Sequence, residues 1–256
     1  MPWRDSNLFT HAREATQAAA DLVGHGVLGP LPFDRFVATF AELPGSEDNP
    51  IRASAAHALR AIAALTTGDD TGFREHEEQW RDVIERKGLS WLGATHELII
   101  GQVLTSVGNP EAGERWLHEA RGTLAAFGDI WWVDAIDCVL CMALGAQGRT
   151  TEFLRLADAL DASVPVPDRG ALMVRSVVAA RAHLVRGSPA DAEAAARRAL
   201  ELGEGTDLVP YRAEALLALA DAIEARGLDE DAADARRRAV ALLRAKGNLA
   251  AAARLG

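Results

Sequence analysis

The chain has 256 residues, 49% of them hydrophobic and 25% charged, with a formal net charge of -10. That apolar share supports a continuous core and excludes a disordered chain, while the negative charge argues against nucleic acid or anionic lipid as partners, since both are held largely by Lys and Arg. Aromatic residues make up only 5% and Tyr occurs once, a composition of Ala and Leu that favours helix over strand.

From the start of the chain, Met1-Pro2-Trp3-Arg4-Asp5 leads into an amphipathic segment over Asp5 to Val23, without the apolar run of a signal peptide. A Gly- and Pro-rich stretch from Gly24 to Pro32 separates it from a second segment, Phe33 to Leu43. The pair reads as a capping hairpin over 1-48. No later segment reaches the roughly 18 uninterrupted apolar residues of a membrane span. Cys138 and Cys141, the two cysteines, lie inside a helical stretch and give no disulfide framework, so a cytoplasmic setting is expected.

Beyond residue 48 the chain acquires a beat. Gly68, Gly88, Gly108, Gly128 and Gly148 fall twenty residues apart, and Gly187, Gly227 and Gly247 resume the spacing. Glycine just past a helix adopts the left-handed conformation that ends it. Asn49-Pro50, Gly108-Asn109-Pro110 and Gly187-Ser188-Pro189 read as helix starts, with an N-cap followed by Pro at the first helical position. Helices of this length joined by short turns lie antiparallel, so two make a hairpin repeat of about forty residues. The seventh residue before alternate glycines is always small: Ala61, Gly101, Cys141, Ala180, Ala220. A small residue there lets the two helices approach closely, and such hairpins bury their apolar faces only by stacking. The expected fold is an all-α, right-handed α-solenoid of about 12 to 13 helices. Its five repeats run over 49-88, 89-128, 129-166, 167-206 and 207-247, followed by a tail at 248-256. Val164-Pro165-Val166-Pro167 interrupts the helices as a stiff extended linker.

The small position followed by Gly and an Ala-rich second helix resembles the tetratricopeptide repeat (TPR), most clearly in Ala179 to Leu202 and Leu216 to Val240. Leu28-Gly29-Pro30-Leu31-Pro32, Val107 to Arg115 and Arg244 to Arg254 resemble the C-terminal helical-repeat region of bacterial regulators that carry a nucleotide cyclase and a signalling ATPase upstream. That resemblance implies a region that receives a signal or partner. No phosphate-binding loop of the form Gly-x-x-x-x-Gly-Lys-Ser/Thr is present, so ATP binding is not implied.

Several constellations invite chemistry and read more simply as structure. Cys138 and Cys141 are one turn apart among apolar neighbours, without the second pair that zinc needs. His76-Glu77, His96-Glu97 and His118-Glu119 never complete His-Glu-x-x-His and read as solvated or capping histidines. Asp134 and Asp137 share a helix face near two tryptophans, but one helix rarely spaces both carboxylates of a glycosidase. Arg236-Arg237-Arg238 ends a helix that opens with acids, which complements the helix dipole. No nucleophile with a base and no metal set can be assembled, so no catalysis, cofactor or metal is expected.

The binding signal lies in the first helices of the repeats. Trp91, Trp131, Trp132 and Tyr211 fall in their first turns, where rigid aromatics serve either as anchors or as packing between repeats. Six residues before each glycine the series is Ile62, Gln102, Met142, Arg181, Asp221, varied as a specific groove requires. Trp91, Thr95, Gln102, Trp131, Trp132, Arg181 and Tyr211 are the candidate contacts. The expected partner is a peptide or protein segment in the concave groove, with a small-molecule effector as the alternative and a homodimer through an exposed end.

Overall fold

A computed structural model describes residues 49-165, 168-206 and 208-256. The expected capping hairpin over 1-48 and Val166-Pro167 of the linker lie outside them. All regular structure among the described residues is helical: α1 (Pro50–Thr67), α2 (Asp70–Lys87), α3 (Ser90–Ser106), α4 (Pro110–Ala126), α5 (Ile130–Ala146), α6 (Thr150–Ala162), α7 (Arg169–Val185), α8 (Pro189–Gly203), α9 (Val209–Glu224), α10 (Asp229–Lys246) and α11 (Leu249–Leu255).

The eight glycines of the beat all have φ between 64° and 96°, the left-handed region in which only glycine is unstrained. At Gly108 the turn is closed by main chain, with Gly108 N donating to Thr105 O and Asn109 N to Leu104 O. The expected caps divide. The Asn49 carboxamide accepts from Ile51 N and Arg52 N, whereas Asn109 and Ser188 make no side-chain cap bond. Pro110 and Pro189 already remove one unpaired N–H there, and the tight turn leaves the preceding main chain to finish the helix.

Each odd-numbered helix from α1 to α9 packs against its successor, and most pack against the next odd helix as well. All five small positions are buried. A Cβ on Gly101 would lie 2.7 Å from Leu117 Cγ, and one on Gly113 would lie 2.7 Å from Gly101 O. The α3–α4 hairpin therefore closes to a distance that only glycine permits. The core runs unbroken along the stack. One cluster spans α1 to α5, the next α5 to α7, the third α7 to α10, and the last joins α9, α10 and α11.

The segment 248-256, expected as a tail, is a helix. Asn248 caps it by accepting from Ala251 N, and Ala251 and Ala252 are buried. α11 folds back against α10 and also reaches α1, and Asn248 Nδ2 donates to Ser106 Oγ at the end of α3. Arg254 Nη2 donates to Ser106 O, 3.2 Å away. The superhelix thus closes on itself: its last helix bridges the first two described hairpins.

At the linker, Ser163 turns extended (ψ 153°) and Val164 is 91% exposed. The gap between α6 and α7 is stitched by Arg175, which donates to Leu160 O, to Ser163 Oγ and to both carboxylate oxygens of Asp134.

Candidate functional site

Within the closed curve lies a cavity of about 430 Å³, bounded by α3, α5, α7, α9, α10, α11 and the start of α6. Four members of the varied series line it: Gln102, Met142, Arg181 and Asp221. They sit one residue beyond the small position. That position faces the partner helix, so its neighbour, rotated by about 100°, points to the axis of the curve. Ile62, the fifth member, is wholly buried and is not in the lining.

Most of the wall is apolar, from Val103, Val139, Phe153, Leu184, Leu217 and Leu243. Two of its arginines are held by carboxylates. Arg181 Nη2 donates to Glu214 Oε2 at 2.6 Å, and Arg236 Nη2 donates to Asp221 Oδ1 at 3.0 Å and also holds Glu224 outside the lining. The Tyr211 hydroxyl donates across the axis to Gln102 Oε1 at 3.4 Å, and burial pushes its phenol above the usual range, so it stays a neutral donor. Lys246 is 1% exposed, and burial draws its ammonium down to about 8.

Of the residues singled out in the sequence, Gln102 and Arg181 line the cavity and Tyr211 reaches it through Gln102. Thr95 is fully buried, its hydroxyl donating to Leu92 O. The three tryptophans form a separate group at the N-terminal ends of α3 and α5. Trp91 meets Trp132 edge-on at 6.3 Å, Trp131 meets Trp132 at 4.5 Å, and Trp91 Nε1 donates to Asp129 Oδ2 at 3.0 Å. Trp132 belongs to the core, while Trp131 is 39% exposed. They tie one repeat to the next, away from the cavity lining.

The carboxylate pair, the cysteines and one of the histidines are engaged in packing. Arg121 grips Asp137 with two hydrogen bonds and Arg175 takes Asp134, so each carboxylate joins α5 to a different helix. Burial pushes the Cys141 thiol up to about 12 and Cys138 higher still, which leaves both as unreactive core residues. His118 is exposed beside Glu114. His96, expected to be solvated or capping, is instead fully buried: its Nδ1 accepts from Trp80 Nε1 at 3.0 Å, and burial lowers its pKa to about 3. It is a neutral core acceptor, because the indole needed a partner in the dry interior.

Sequence reasoning missed the contribution of the C-terminal segment to the site. Asn248, Arg254 and Leu255 line the cavity together with Lys246. The available signal was the apolar spacing of Leu249, Ala252 and Leu255 after a capping Asn, a run of only two turns.

No family model matches the chain, and no curated protein matches it. Among solved structures, a Rap protein complexed with Competence and Sporulation Factor is similar, with a TM-score of 0.53 and 10% sequence identity. The likeness covers 84% of this chain and 59% of that one, so the chain spans less than two thirds of the relative. At this identity the likeness is one of fold, and with the stacked hairpins it gives the chain a TPR-like helical-repeat fold. No helix among the described residues is long and apolar enough to cross a membrane.

Proposed function

We propose that the chain is a non-catalytic binding module, regulatory or scaffolding in role, that takes a peptide or short protein segment into its concave interior. The observation that carries this reading is the coincidence of two independent features. The repeat position that varies in chemistry from apolar to charged lines the cavity in four of its five members, Gln102, Met142, Arg181 and Asp221. A repeat protein keeps its packing positions uniform and places specificity on its inner surface. The solved relative, which shares the fold, was captured with a factor bound. The resemblance to the repeat region of cyclase and ATPase regulators gives such binding a natural consequence, the passing of a signal to an upstream domain.

A second reading, a small-molecule effector sensor, draws on the size of the cavity. About 430 Å³ lies within the roughly 300–1,000 Å³ typical of small-ligand sites, and the wall is mostly apolar with a few convergent polar groups.

Selection from a displayed library of short random peptides tests the leading reading, with counter-selection on Gly145→Trp. Gly145 lines the cavity, and a Cβ there meets only the Phe153 ring, at 3.7 Å, so the backbone admits a side chain and an indole is expected to fill the space. Enrichment of a common motif that the plugged variant rejects is the expected outcome. Enrichment that survives the plug would place binding elsewhere, and no enrichment would transfer the argument to the small-molecule reading.

A further inference from the structure

We infer that the ligand of the inner cavity is an apolar-bodied anion, whose acid group is met by Arg254 of the C-terminal helix; this rests on the reading of the cavity as the binding site. The body follows from the wall, which is built from Val103, Val139, Leu184, Leu217 and Leu243. The acid group follows from the charge arrangement. Of the three arginines in the lining, Arg181 and Arg236 are matched by Glu214 and Asp221. Arg254 has no carboxylate partner among the described residues, and its one hydrogen bond goes to a main-chain carbonyl, Ser106 O. That is notable in a chain where 37 acidic residues outnumber 27 Lys and Arg. A guanidinium carries five N–H donors and no acceptor, so most of its capacity is open. Its position is set by two neighbours, Ser106 O and Gly108. The Arg254 stem lies over Gly108, where a Cβ would stand 2.9 Å from Arg254 Cδ, and any larger residue at this turn would lift the side chain away. Arg254 is exposed at the rim of the cavity, where an anion gains charge-assisted hydrogen bonds from the guanidinium while its body lies against the apolar wall.

The test uses two dyes that differ only in the acid group, anilinonaphthalene sulfonate and neutral anilinonaphthalene, titrated by fluorescence. Wild type is expected to bind the sulfonate about tenfold more tightly than the neutral dye, the value of one charge-assisted bond. Arg254→Gln abolishes the difference while the neutral dye still binds as in wild type, and Arg254→Lys, which keeps the charge, retains most of it. Gly145→Trp abolishes binding of both dyes. Displacement by octanoate alone identifies a free organic acid. Displacement by a leucine-rich pentapeptide with a free carboxylate, and not by its amide, identifies a peptide terminus. Equal binding of the two dyes to wild type, or an undiminished preference in Arg254→Gln, overturns the inference and leaves the cavity reading standing. Dye binding unaffected by Gly145→Trp overturns both.

Discussion

Gly101 and Gly113 face one another across the α3–α4 hairpin, and each leaves no room for a side chain. A methyl on Gly101 meets Leu117 Cγ at 2.7 Å and Gly113 O at 3.0 Å; one on Gly113 meets Thr105 Oγ1 at 2.5 Å and Gly101 O at 2.7 Å, the tighter main-chain contact. Gly101→Ala is therefore expected to cost about 1–3 kcal/mol, as overpacking does, and Gly113→Ala more. Gly122 lies exposed within α4 with nothing within 4 Å, so Gly122→Ala should raise stability by about 0.5–1 kcal/mol. Urea denaturation of the three variants gives the order directly, and a neutral Gly113→Ala would mean that the hairpin is looser than described. The same scale carries a pH dependence. His96 binds its proton less readily when folded, about 3 against 6.5, so its stability contribution is present above 6.5 and lost as pH falls below it. Glu97 is the opposite case: burial first, then Glu119, raise it from 4.5 to about 7 against the pull of Arg81. Its contribution is present below 4.5 and lost as pH rises to 7. The stability advantage of wild type over Glu97→Gln should accordingly shrink between pH 4.5 and 7, as read by denaturation at stepped pH. The small residues and glycines of the beat were legible in the sequence because backbone geometry admits no substitute for them. The burial of His96 was not, because it depends on Trp80, sixteen residues away and on another helix.

At the scale of elements, the helices were legible where a positive-φ glycine ends them, and least so where the beat breaks. Pro165 marks the interruption between α6 and α7, but nothing local shows what holds the two helices across it. That task falls to Arg175, whose side chain and that of Asp134 are each only 12% exposed. Arg175 ties α5, α6 and α7 through three different acceptors. Arg175→Met removes the ties and leaves Asp134 half of a nearly buried pair, at a cost of about 3 kcal/mol, the lower end for breaking such pairs. The double variant Arg175→Met, Asp134→Leu should recover most of that loss, since neither charge is then left without a partner. A double variant as unstable as the single one would show that the hydrogen bonds to α6, rather than the ion pair, carry the energy. The candidate contacts divided in the same way. Gln102 and Arg181 could be read from the repeat register, whereas the tryptophans, equally regular in sequence, proved to join neighbouring repeats.

At the scale of the whole molecule, a solenoid whose repeats touch only their neighbours unfolds as a nearly one-dimensional chain, without a requirement that its two ends melt together. Here three hydrogen bonds cross the axis. Tyr211 reaches Gln102, and Asn248 and Arg254 reach Ser106, so α9 and α11 are bonded to α3. Such closure could not be read from repeat spacing, because it depends on the small rotation from each hairpin to the next, summed over the stack. It has a measurable consequence. The five described tryptophans, Trp80, Trp91, Trp116, Trp131 and Trp132, all lie in α2 to α5, so fluorescence follows the early repeats while circular dichroism follows every helix. In the full chain the two probes should give coincident urea transitions, the mark of a single cooperative unit. In a chain ending at Gly247, which lacks Asn248 and α11, the dichroism transition should broaden and separate from the fluorescence transition as α9 and α10 melt first. Coincident transitions in the shortened chain would mean that side-by-side packing alone couples the repeats. Separated transitions in the full chain would mean that the closure contributes too little to join its ends, and that the cavity opens and closes as part of the native state.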